Sequence, residues 1–171
     1  MRTARVERED RRREFALWVL YASEVSGNPP LVAFGLLRAA VVGTAEPPSA
    51  KEASPWHRIE RFEDYLPAEA DWEDVGRSVE ETVVVVEQNR ERIDALIKQA
   101  SPRWRLDRMP PIDRTLLRIG VAEMIATDRP RPRGTLNGLV EIAKRYGEET
   151  TPRFVNGILD QIRRNLELPF Q

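Results

Sequence analysis

The stretch RRREFALWVLY, from Arg11 to Tyr21, sets three adjacent guanidinium groups at the mouth of an apolar helix. Each guanidinium is a planar fork of five donors, suited to phosphate oxygens and base edges. On a helix Arg13, Leu17 and Tyr21 fall in an i, i+4, i+8 row, so a cation and a phenol share one edge while Phe15 and Trp18 face inward. A tyrosine ring offers a surface on which an unstacked base can lie, and arginines beside such a ring suit single-stranded RNA better than duplex DNA. The alternative is a solvated basic helix start with Tyr21 half buried. An interior position for both Arg13 and Tyr21 would remove this edge as a binding surface.

Other chemistry is sparse. The lone histidine, His57, sits beside an expected loop and reads as a solvated residue. Neither G-x-x-x-x-G-K-[ST] nor G-x-G-x-x-G occurs, and no helix carries the His-containing spacing of a zinc site. The acid pairs Glu80-Glu81 and Glu148-Glu149 are adjacent, so on a helix they diverge by about 100° and cannot share a proton. The residues therefore point to a binding protein rather than an enzyme, with no cofactor.

A chain of 171 residues with 41% hydrophobic and 32% charged residues fits one soluble domain able to bury a core. It contains no cysteine, which excludes disulfides and thiolate metal sites. No apolar run reaches the roughly 18 residues a membrane helix needs, and no cleavage signal follows the N-terminus, so a cytoplasmic protein is expected. The net charge of −1 conceals blocks. Residues 1–13 hold six arginines against three acids, residues 43–81 are acidic, and 103–145 turn basic. Such blocks govern partners more than the total does.

Helical periodicity dominates the elements that must carry these groups. Phe15, Trp18, Val19 and Ala22 line one face, and Leu31 to Val42 is apolar nearly all round. Gly43 to Pro55 has no period and reads as a long loop or a disordered excursion. Trp56, Ile59, Phe62 and Leu66 suit a short helix. A long helix is expected over 71–100, with Val79, Val83, Val86, Ile93 and Ile97 inward, even though VVVV alone would suggest a strand. Pro111 and Asp113 fit the first turn of the next helix. Leu136, Leu139, Val140 and Ala143 form another apolar face that Gly147 terminates. Thr151-Pro152 reads as a further helix start, with Phe154, Val155, Ile158, Leu159 and Ile162 buried. The class is all-α, with about seven helices and no strand.

Three stretches resemble the NusB family of transcription antitermination factors. The first helix matches its basic-then-A-x-x-x-L-Y pattern at Ala16, Leu20 and Tyr21. Met109 to Pro130 matches at Ile112, Asp113, Arg114, Leu117, Arg118 and Glu123. Leu136 to Ile162 matches at Asn137, Glu141, Ala143, Lys144, Tyr146, Gly147, Phe154, Val155, Asn156, Gly157, Leu159 and Asp160. Trp104 and Leu106 stand where the family tends to have W-x-L. The middle third matches in helical pattern only.

The resemblance implies one domain over 1–171 made of two packed small helical bundles, 1–100 with an acidic insertion near 43–70, and 101–171. It implies a non-catalytic protein that binds boxA RNA together with the ribosomal protein NusE and acts in the RNA polymerase antitermination complex; a homodimer is a second assembly it admits. The RNA surface it implies is Arg11, Arg12, Arg13 and Tyr21 with Thr150, Thr151 and Arg153, to which the basic loop adds Arg129, Arg131 and Arg133. Asp113, Arg114, Arg118 and Glu123 read as an ion-pair lattice between helices; the alternative is that Arg114 and Arg118, one turn apart on the same face, touch RNA. Phe154, Asn156 and Gly157 read as structural, Gly157 marking a close helix approach, and the tryptophans as core.

The chain departs from the family at several points. Trp18 stands where a glutamine is common, and Glu7, Glu9 and Asp10 weaken the arginine arm. Gly138 replaces a glutamate that would complete a capping box if Thr135 capped its helix. Ser78 replaces an aromatic. The alternative is therefore a protein-interaction module of the same fold without RNA affinity. The family resemblance also covers a domain that precedes RNA methyltransferases, but with the chain ending at Gln171 no cofactor-binding domain is expected.

Overall fold

The computed structural model describes residues 2–42, 69–126 and 131–170. Among these the chain forms seven α-helices and no strand: α1 (Arg2–Ser26), α2 (Pro30–Val41), α3 (Glu69–Gln88), α4 (Arg90–Ala100), α5 (Pro111–Ile125), α6 (Pro132–Tyr146) and α7 (Thr151–Asn165), with a 3-10 turn at Leu106–Arg108. The acidic stretch, His57, the helix expected around Trp56 to Leu66 and Arg129 lie outside the described residues.

α1 is the central element. It packs on α2 and α3 on one side and on α5 and α6 on the other. That position explains why every residue from Phe15 to Tyr21 is buried: a helix flanked on several sides has no solvent face. Phe15 meets Trp18 edge-on at 4.8 Å, and Trp72 stacks against Phe34 at 5.7 Å. α1 stops at Gly27, whose φ of +74° is easy only for glycine, and the Ser23 hydroxyl donates to the Asn28 carbonyl across the turn into α2.

The helix expected over 71–100 is two helices. The VVVV run is helical, with Val79, Val83 and Val86 buried, but the chain turns at Asn89 (φ −111°, ψ 17°). The Asn89 amide donates to the Val85 carbonyl at 2.9 Å, a local bond by which asparagine competes with regular helix. The turn lets α4 pack on α5 and α7 while α3 stays on α1 and α2. Buried apolar residues from both groups, Phe15 and Val83 through Leu139 and Ile162, form one continuous core.

Glycine sets the closest crossing in the second group. A Cβ on Gly120 of α5 would lie 2.7 Å from both Leu159 methyls and 2.9 Å from a Leu139 methyl. Gly147 ends α6 as expected, but with extended backbone (φ −87°, ψ 176°). Its glycine is required by space, since a Cβ there would meet Thr151 at 2.5 Å.

Candidate nucleic-acid interface

The three arginines have three different environments. Arg11 is exposed. Arg12 donates to Glu123 Oε1 at 2.8 Å and is partly covered. Arg13 is 4% exposed and grips Glu123 with both prongs, Nε to Oε1 at 2.8 Å and Nη2 to Oε2 at 2.9 Å, while Nη1 donates to Asp10 at 3.0 Å. Burial pushes the Glu123 carboxyl up, but the charges and hydrogen bonds of Arg13 and Arg12 outweigh it and hold it below the usual range. Tyr21 is 6% exposed, and burial raises its phenol. The i, i+4, i+8 edge of α1 therefore faces protein, and neither Arg13 nor Tyr21 is presented to a ligand. The row was legible in the sequence; that α5 and α6 cover it was not.

Glu123 also accepts from the Thr135 hydroxyl at 2.7 Å. Thr135 lies inside α6, which begins at Pro132, so it is no cap. Gly138, where the family pattern has a glutamate, leaves room for this knot: a Cβ there would collide with Asp10 Oδ1 and lie 2.5 Å from Arg13 Nη1. The expected lattice exists, but its partners are on other helices. Arg118 forms two bonds to Asp94 of α4, at 2.8 and 3.0 Å, and one to Glu24 of α1 at 3.0 Å. Arg114 pairs with Glu24 and donates to the Leu106 carbonyl at 2.8 Å. Asp113 instead accepts from the Thr151 hydroxyl at 2.8 Å, and burial raises its carboxyl despite that bond.

Thr151, expected to contact RNA, is 1% exposed; its hydroxyl also accepts from the Glu148 N–H. It fastens the start of α7 to α5. Thr150 and Arg153 beside it are exposed, as are Arg131 and Arg133 at the start of α6. Arg131, Arg133 and Arg153 have no ion-pair partner among the described residues. A cleft of about 640 Å³ between α1, α3, α5 and α6 is lined by Arg8, Arg12 and Arg131, with Glu81 and Ser78 opposite.

Asn156 and Gly157 are exposed on α7 rather than packed against a neighbour. Among the described residues nothing lies within 4 Å of where a Gly157 Cβ would be, so none of the described helices packs closely there. Gly157→Ala is accordingly expected to stabilise the protein by about 0.5–1 kcal/mol in urea unfolding, since alanine is the better helix former at an open site. A loss of stability would show that the glycine is needed for packing.

Of the tryptophans expected in the core, Trp18 and Trp72 are there, but Trp104 is 60% exposed. Its ring meets Phe154, which is half-buried, edge-on at 5.6 Å. The signal was the order Arg103-Trp104-Arg105 between Pro102 and Pro110: an aromatic between cations in a short break has no apolar face to join.

Known proteins match this chain at several levels. A transcription antitermination protein NusB of Sorangium cellulosum is 46% identical over 94 residues, which is 53% of this chain and 66% of that protein. One of Bacillus licheniformis is 39% identical over 88 residues, 52% of this chain and 68% of that protein. The aligned stretch thus spans about two thirds of each relative. The fold is shared with the solution structure of NusB from Aquifex aeolicus (TM-score 0.62, 25% identity, 92% of this chain and 88% of that one). It is also shared with a chain in a crystal structure of antitermination factors NusB and NusE in complex with dsRNA (TM-score 0.65, 24% identity, 93% and 98%). The profile described as NusB family matches residues 10–164, a span that takes in the buried arginine, the α5 lattice and nearly all of α7, and the chain belongs to the NusB family.

Proposed function

We propose that this protein is a cytoplasmic, non-catalytic transcription antitermination factor. In this reading it binds boxA-type single-stranded RNA together with the ribosomal protein NusE, within the antiterminating RNA polymerase complex. Family membership over residues 10–164 carries the reading. It is supported by relatives named as antitermination proteins and by the fold shared with a chain in the crystal structure of NusB and NusE with dsRNA. No helix among the described residues is long and apolar enough to cross a membrane. That assembly contains dsRNA, so the preference for a single strand rests on the family resemblance and is part of the proposal.

The RNA face follows exposed cations: Arg11 and the outer side of Arg12 on α1, Arg131 just before α6 and Arg133 in its first turn, and Arg153, with Thr150, at α7. A change of all three leading arginines would break the Glu123 knot, so the test uses Arg11, Arg131, Arg133 and Arg153. Changed together to Ala, they should weaken binding to a boxA-type strand. They should also flatten the slope of log affinity against log salt by roughly 0.7 for each phosphate that is no longer neutralised, with helix content unchanged. The second reading, a protein-interaction module without RNA affinity, is favoured by one observation: Arg13 and Tyr21 are withdrawn from the surface. Binding to NusE with none to RNA, alone or with NusE, would establish it.

A further inference from the structure

A cleft of about 800 Å³ opens between α4, the Leu106–Arg108 turn and α5, away from the arginine-lined cleft beside α3. Its lining holds five cations and three carboxylates, and Trp104. The carboxylates are already engaged. Glu24 and Asp94 accept from Arg114 and Arg118, and Asp107 accepts from Arg105 at 2.7 Å. Lys98 is exposed and has no partner among the described residues. The cleft therefore has positive charge to spare beside a large exposed indole.

An indole left in water forgoes the stabilisation of burial unless a partner covers it. The edge-on contact with Phe154 fixes the ring's orientation. A protein partner would want a broad apolar surround, yet beside Phe154, Leu106 and Pro102 the neighbours of Trp104 in the chain and cleft are the cations Arg103, Arg105 and Lys98. A flat ring joined to a negative charge satisfies both features at once.

We propose that this cleft seats one unstacked nucleotide of a bound RNA strand, its base against Trp104 and its phosphate toward Lys98. The proposal rests on the RNA-binding reading and adds to it a subsite that discriminates single from paired strands, because a base within a duplex cannot leave its stack without cost.

The test measures affinity for a short boxA-type single-stranded RNA, and for the same strand made abasic at each position in turn. Trp104→Ala should weaken binding roughly 5- to 150-fold, the equivalent of losing one base stack, and leave the salt slope unchanged. Trp104→Phe should keep most of the affinity, which separates stacking from damage to Phe154. Lys98→Ala should flatten the slope by roughly 0.7. One abasic position should weaken the wild type but not Trp104→Ala. Wild-type affinity in Trp104→Ala, a loss spread evenly over all abasic strands, or a loss seen only in NusE binding would overturn the subsite and leave RNA binding standing. A wild type that binds no strand would overturn both.

Discussion

Glu123→Gln is expected to lower the unfolding free energy by about 3–5 kcal/mol, the usual cost of removing one partner from a buried ion pair. The carboxylate accepts four hydrogen bonds, two from Arg13 and one each from Arg12 and Thr135. Glutamine keeps the shape but not the charge, so the Arg13 guanidinium stays enclosed with only Asp10 at 3.0 Å and Glu9 at 3.6 Å. Arg13→Met combined with Glu123→Met should recover most of the loss, because desolvating the two charges is itself costly. A single variant within about 0.5 kcal/mol of wild type, the range of ordinary surface changes, would show that the pair is solvated.

The same residue gives an acid limb. The folded-state pKa of Glu123 lies below its ordinary value. Its contribution is therefore fully present above the unfolded pKa of about 4.3, and is lost as pH falls through the lower folded value. Wild type should lose stability through that window, and Glu123→Gln should lose less there, starting from a lower plateau. Chemical unfolding at stepped pH reads both.

The second large effect lies at the α5–α7 crossing. Leu159 is fully buried, and Leu159→Ala should cost about 2–5 kcal/mol. Gly120→Ala should cost about 1–3 kcal/mol, since its Cβ would lie 2.7 Å from the Leu159 methyls in a packed interior. The double variant should cost less than the sum, because truncating Leu159 clears the space the new methyl fills. Additive losses would mean that the backbone, rather than the leucine, yields to the new Cβ.

The sequence marked Glu123 as an ion-pair residue and Leu159 as buried, but it placed the close helix approach at Gly157 rather than at Gly120. Helical period, Pro111, Gly147 and Thr151-Pro152 were enough to place the all-α class and several helix ends, because these are local rules of backbone and solvent. Asn89 shows the limit. A break within a sound amphipathic pattern depends on which neighbours α3 and α4 each reach, and no local window contains that.

For the binding face the division is sharper. Residue types alone pointed to an anionic partner as an expectation, since arginines before an apolar helix carry their charge in any fold. Which arginines remain available was decided by packing. α1 lies at the centre, so Glu123, more than a hundred positions away in sequence, takes Arg13 and shares Arg12. Tyr21 is enclosed by the same packing, while Trp104, Asn156 and Gly157 stay in the open. Charge and aromaticity belong to the side chain, but exposure belongs to the neighbours, and those are fixed only when distant helices meet.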